Sequence, residues 1–186
     1  MRRRRTLRLH NYDYRQSGAY FVTICTYEAA CLFGYVTDGE MILNDIGNIV
    51  RDEWLQTSHI RSNVQLDAFV VMPNHIHGII HIVAIEDRAT QRVAPTGKSG
   101  HAAQIDHAPR RSSSLQAGSL GAIVGQFKSA VSKRCWQRMG LSDLQIWQRG
   151  YYDSILQNER ILNDARRYIG ANPERWFEDK YYVQVR

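Results

Sequence analysis

The chain has 186 residues and a mass of 21.5 kDa, which is one domain with or without an appendage; 44% hydrophobic and 23% charged residues exclude wholesale disorder. No apolar run approaches the roughly 18 residues of a membrane span, and no apolar stretch follows the Met-Arg-Arg-Arg-Arg start as a secretion signal requires. A formal net charge of +6 and a pI near 9.4 favour a polyanionic partner.

Taken in chain order, residues 1–18 form a basic arm: Arg2, Arg3, Arg4, Arg5, Arg8 and Arg15 stand against the single carboxylate of Asp13. The arm reads either as a solvated terminus or as a phosphate grip, because guanidinium forks fit phosphate oxygens and release counterions. Ala19–Thr26 is rich in β-branched and aromatic residues and predicts a buried strand. A short extended piece at Cys31–Val36 ends at the turn signal Asp38-Gly39. Asn44 or Asp45 caps a helix to about Thr57, with Ile46, Ile49, Val50 and Trp54 on one face. Asn63–Met72 and His77–Ile85 predict a central pair of strands broken at Pro73-Asn74.

Residues 86–118 lack apolar periodicity and predict a long inserted loop. Their Gly97-Lys98-Ser99 is no phosphate-binding loop, since the first glycine of that pattern would fall at Gln91 or Arg92. Leu120–Gln137 repeats apolar residues at helical spacing, and Ile146–Leu156 reads as a strand bent at Gly150. A last helix begins after the cap Asn158 and is stopped by Pro173. The order β-α-β-β-α-β plus a helix predicts an α+β fold, a ferredoxin-like antiparallel sheet with an additional C-terminal helix. Cys25, Cys31 and Cys135 have no C-x-x-C spacing, so neither a disulfide framework nor a cysteine zinc site is indicated, and a reducing cytoplasm is expected.

Chemistry concentrates in two places. In Pro73-Asn-His-Ile-His77, residues i and i+2 of a strand share a face, so His75 and His77 can offer two imidazoles to one cation; a purely structural histidine pair fits the same pattern. In the last helix, Tyr168 and Asn172 lie four apart on one face, about one turn or ~6 Å along the axis. Each also has a plain reading, Tyr168 as an amphipathic core residue and Asn172 as a helix stop.

The segment Phe69-Val-Val-Met-Pro-Asn-His-Ile-His-Gly-Ile-Ile80 resembles the His-hydrophobic-His motif of single-tyrosine HUH transposases, and among them the REP-associated tyrosine transposases. Leu7–Thr26 is similar to their opening, Leu120–Lys133 to their central helix, and Ile146–Pro173 to their Trp-Gln-Arg-x-Tyr-Tyr-Asp strand and Arg-Arg-Tyr-Ile-x-x-Asn-Pro helix. The resemblance spans residues 7–176 apart from the loop, so 19–176 is expected to be the transposase domain and 177–186 a tail. It implies that His75 and His77 are the metal-binding pair, Tyr168 the nucleophile and Asn172 a third ligand. His10, where the opening commonly has proline, and the length of the 86–118 loop depart from the pattern without touching these positions.

The activity so implied is cleavage and rejoining of single-stranded DNA near hairpins through a 5′-phosphotyrosine, with Mg²⁺ or Mn²⁺ as cofactor. The expected partner is single-stranded or hairpin DNA, held by Arg2–Arg5, Arg8, Tyr12, Tyr14, Lys128 and Lys133, with no membrane and a monomer or homodimer in the bacterial cytoplasm, at the nucleoid. The alternative is a domesticated protein that binds hairpin DNA without transposing. A relaxase-like initiator and a small-phosphate hydrolase fit less well, the first for want of room and the second for want of a carboxylate cluster and for the net charge.

Overall fold

The β-branched and aromatic run forms β1 (Gly18–Cys25), an inner strand of a four-stranded sheet. The structure, a computed structural model, describes residues 16–84 and 118–183. The arm residues Arg2, Arg3, Arg4, Arg5, Arg8, Tyr12 and Tyr14, and all but the last residue of the 86–118 segment, lie outside the described residues.

After β1 come a 3₁₀ turn (Tyr27–Ala29), the strands β2 (Gly34–Thr37) and β3 (Glu40–Leu43), and α1 (Asp45–Ile60). Then follow β4 (Val64–Met72), β5 (His75–Ile82), α2 (Leu120–Met139), β6 (Tyr152–Leu156), α3 (Glu159–Gly170) and a 3₁₀ turn (Trp176–Glu178). The sheet order is β4-β5-β1-β6 with every neighbouring pair antiparallel. That is the expected ferredoxin-like arrangement, with α3 as the additional helix.

The helices start where the sequence offers caps: Asn44, Ser119 and Asn158 each accept a hydrogen bond from a first-turn backbone N–H. Three boundaries differ from expectation. Glu40–Leu43 pairs with Gly34–Thr37 as a small separate sheet, a strand too short for its alternation to be read in advance. Pro73-Asn74 is the turn of a tight hairpin, so β5 begins at His75 rather than His77. Trp147 makes an isolated bridge to Thr26, and the strand proper starts after Gly150, whose φ of +80° suits glycine.

The two faces of the sheet divide the molecule. Tyr20, Val22, Ile24, Ile76, Ile80 and Ile82 join Trp54, Ile123, Val124 and Phe127 in the main core beneath α1 and α2. Gly78 lies on that face because nothing larger fits: a Cβ there would stand 2.3 Å from the Trp54 ring. On the other face Phe21, Val70 and Ile79 receive Leu162, Ala165 and Ile169 of α3. The odd-numbered residues of β5, including His75 and His77, point to this second face. Among the described residues no helix is long and apolar enough to cross a membrane.

Candidate active site

At the His75 end of β5 the apolar alternation gives way to buried polar side chains. Thr23, Thr26, Asn74, His75, His77 and Asn172 each expose 3% or less. Such groups are tolerated in a core only when partnered, and here the partners form an ordered set.

Asn74 orients the first histidine. Its Nδ2 donates to the carbonyls of Ala29 at 3.1 Å and Tyr181 at 2.8 Å. Those two acceptors fix the amide, so Oδ1 faces His75 Nδ1 at 2.9 Å and that nitrogen must carry the proton. The His75 Nε2 lone pair is therefore directed away from Asn74, and Nε2 is buried with no hydrogen-bond partner among the described residues. His77 follows the same plan, with Nδ1 2.9 Å from Thr23 Oγ1 on the neighbouring β1 and Nε2 3.4 Å from the Tyr168 hydroxyl. Burial pushes both imidazoles down to about 3, aided by Lys180 at His75 and by His75 and Lys180 at His77, where Asp179 opposes. Both rings are neutral at pH 7, the form that ligates a metal. Their centroids are 4.5 Å apart.

The amphipathic face of α3 brings up the other residues. Leu162 and Ile169 anchor the helix, and Tyr168 hangs beside Ile169 with its ring 5.2 Å from His77 and 6.1 Å from Phe21. Its hydroxyl is held above the ordinary phenol range by burial and by the charge of Asp179, while a hydrogen bond from Asn172 opposes. One turn on, Asn172 Nδ2 donates to Asp179 Oδ2 at 3.2 Å, and its Oδ1 is buried and unpartnered among the described residues, like His75 Nε2.

Asp179 is the residue that sequence reasoning misses, since it falls in the segment read as a tail. The chain reverses after Pro173 and returns over the histidines, with Trp176 and Tyr181 rings 6.0 and 4.8 Å from His75. The backbone N–H of Tyr181 holds Asp179 Oδ1 at 2.7 Å, and the other oxygen, Oδ2, lies 3.5 Å from the Tyr168 hydroxyl. The ligand atoms of His75, His77 and Asp179 lie within 4.8 Å of one another, a group that could hold a metal ion. The set fits a divalent cation: two neutral imidazoles and a carboxylate, with Asn172 hydrogen-bonded to that carboxylate through Nδ2.

Beside Tyr168 a cleft of about 390 Å³ is lined by Arg167, Arg175 and Lys180 together with Glu178 and Asp179. Lys128 and Lys133 belong to α2, in the layer on the other face of the sheet. Lys128 Nζ donates to the carbonyls of Gln148 at 2.6 Å and Gly150 at 3.0 Å, and Lys133 is exposed.

No protein-family model matches the chain. A Haemophilus influenzae protein described as uncharacterized is 37% identical over 182 residues, which cover 97% of this chain and 93% of the relative. The solved structure of a REP-associated tyrosine transposase bound to a REP hairpin is similar with a TM-score of 0.56, over 94% of this chain and 77% of that one. At 16% sequence identity this likeness is one of fold.

Proposed function

The chain belongs to one family with the Haemophilus influenzae protein and has the fold of a REP-associated tyrosine transposase, and on that footing we propose that it is a single-tyrosine DNA strand transferase. It cleaves single-stranded DNA near a hairpin and rejoins it through a 5′-phosphotyrosine on Tyr168. The observation that carries this reading is the meeting of the Tyr168 hydroxyl with His77 Nε2, beside a His75, His77 and Asp179 group that could hold a metal ion.

In this reading His75, His77, Asp179 and Asn172 hold Mg²⁺ or Mn²⁺. The ion, when bound, offsets the charge that develops on the scissile phosphate. The chain's own groups do the rest. Phe21 and His77 confine the Tyr168 ring, and the hydroxyl oxygen attacks phosphorus as the bond to the 3′ oxygen breaks. The phenolic proton leaves to solvent, which reaches Tyr168 because that side chain is 43% exposed. The departing 3′ oxygen takes up a proton. A 3′-hydroxyl of another strand then displaces the tyrosine, so the phosphodiester is restored without an external energy source. Arg167, Arg175 and Lys180 make the cleft beside Tyr168 a seat for the strand's phosphates. The hairpin substrate is carried over from the REP-associated transposase, whose structure holds one.

One observation favours the binding-only alternative: His75 and His77 expose 0% and 1% beneath the returning segment. A cleavage assay on a labelled single-stranded hairpin separates the two readings. The transferase cuts in Mg²⁺ or Mn²⁺ and stops in EDTA; a protein that binds the hairpin and never cuts it, with either metal, is the binding module instead.

A further inference from the structure

β4 carries a bulge opposite α3. Its pairing with β5 runs from Val64↔Ile82 to Leu66↔Ile80 and resumes at Phe69↔Gly78, so Asp67 and Ala68 together face the single residue Ile79. The extra residue switches the parity of the strand: Leu66 and Phe69 both pack into the main core, while Ala68 packs on the α3 side. Asp67, aimed the same way, meets Arg166. The guanidinium donates from Nε to both carboxylate oxygens at 3.1 Å and from Nη2 to Oδ2 at 2.6 Å. Its third nitrogen, Nη1, donates to Asn163 at 2.8 Å and Glu159 at 3.2 Å on the same helix. His81 Nε2 approaches Asp67 Oδ2 from β5 at 3.1 Å, and the Ala68 N–H donates to Oδ1 at 2.7 Å. Arg166 first, with His81 and the Ala68 N–H, holds the Asp67 carboxyl well below the usual range, so the pair stays ionised through the working pH range.

Helical geometry gives this pair its consequence. Leu162, Ala165 and Ile169 form the stripe on which α3 rests. At about 100° per residue, Arg166 lies on one flank of that stripe and Tyr168 on the other, about 160° apart around the axis. Three small-to-medium aliphatic contacts resist lifting but poorly resist rolling, because dispersion has no direction. A roll of about 10° would carry a tyrosine hydroxyl, some 8 Å from the axis, by about 1.5 Å. We propose that the Arg166–Asp67 fork is a positioning device that fixes the roll of α3 and so sets the Tyr168 hydroxyl over His77. The proposal rests on the reading of Tyr168 as nucleophile, and it places the control of that residue on the far flank of its helix, in a bulge of a strand that carries none of the proposed ligands.

The test compares Arg166→Ala, Asp67→Asn and Arg166→Lys with the parent in single-turnover cleavage, in hairpin affinity, and in thermal midpoint, all at a temperature where every variant is folded. Expected are cleavage rates lowered on the order of 10- to 100-fold in Arg166→Ala and Asp67→Asn, hairpin Kd within about twofold, and partial recovery in Arg166→Lys, which keeps the charge without the planar fork. A purely structural pair would lower the midpoint and leave the rate of the folded protein unchanged. A DNA contact would weaken Kd with the rate at saturation preserved. Either result overturns the proposal. Tyr168→Phe measured alongside keeps the two ideas apart: if it still cleaves, the nucleophile reading has failed whatever Arg166 does. If it is inactive and Arg166→Ala cleaves at the parental rate, the positioning role alone has failed.

Discussion

Tyr168, Asn172 and the histidine pair make separable demands on the chemistry. Tyr168→Phe removes the attacking oxygen and little else, so cleavage should disappear while hairpin affinity stays within about twofold; a gel-shift titration beside a cleavage assay checks both. Asn172 carries an oxygen that is buried and unpartnered among the described residues, and the proposed ligand role rests on that atom. Asn172→Ala should weaken Mn²⁺ binding and slow cleavage on the order of tenfold, with Asn172→Asp retaining part of both, because a carboxylate suits a hard cation. Unchanged Mn²⁺ affinity in the alanine variant, with a stability loss of ~1 kcal/mol or less, would leave Asn172 as a cap. The histidines add a pH dependence. Both are pushed down to about 3 in the folded protein, from an ordinary value of 6.5, chiefly by burial. The unfolded chain binds protons below pH 6.5 that the folded chain refuses, so this contribution to stability is complete above that pH and is lost progressively towards pH 3. Urea midpoints at pH 7.5 and 4.5 should fall further apart in the parent than in a His75→Gln, His77→Gln double variant.

At the scale of elements, helix positions and the order of strands were legible because caps and periodicity are local signals: Asn44, Asn158 and the Leu120–Cys135 stripe each state their role within a few residues. The roles proposed for His75, His77, Tyr168 and Asn172 come from the family resemblance, since the spacing of each pair alone also fits a structural reading. What escaped depends on contacts distant in sequence. Asp179 reaches the histidines through the chain reversal after Pro173, and no spacing near it announces a carboxylate that could join them. Asp67 sits in a bulge, where strict alternation assigns the following residues to the wrong face. Glu40–Leu43 is a strand only by virtue of its pairing with Gly34–Thr37. Gly78 shows a third kind of hidden constraint, since its role lies in the Trp54 ring packed against it. Gly78→Ala forces that ring or β5 to move and should cost about 1–3 kcal/mol in urea unfolding, well above a surface glycine-to-alanine change.

Considered whole, the molecule is a sheet with its main core on one side and the candidate site on the other. The division lets the α1–α2 face supply stability while the α3 face buries polar groups that a core would reject. In the proposed reading part of the net charge of +6 acts at the cleft of Arg167, Arg175 and Lys180, where Glu178 and Asp179 offset some of it. Replacing Arg175 and Lys180 by alanine should weaken hairpin binding and reduce the slope of log K against log salt by about 1–2, at roughly 0.7 per single-strand phosphate contact. An unchanged slope would remove the cleft from the DNA path. The most direct measurement of the central claim is capture of the covalent intermediate: a labelled single-stranded hairpin incubated with Mn²⁺, then denaturing electrophoresis and peptide mapping of the labelled adduct. A 5′-phosphate linked to Tyr168 is expected, absent from Tyr168→Phe and from reactions in EDTA. Cleavage without any protein–DNA adduct, or an adduct mapped to Tyr151 or Tyr152, would contradict it.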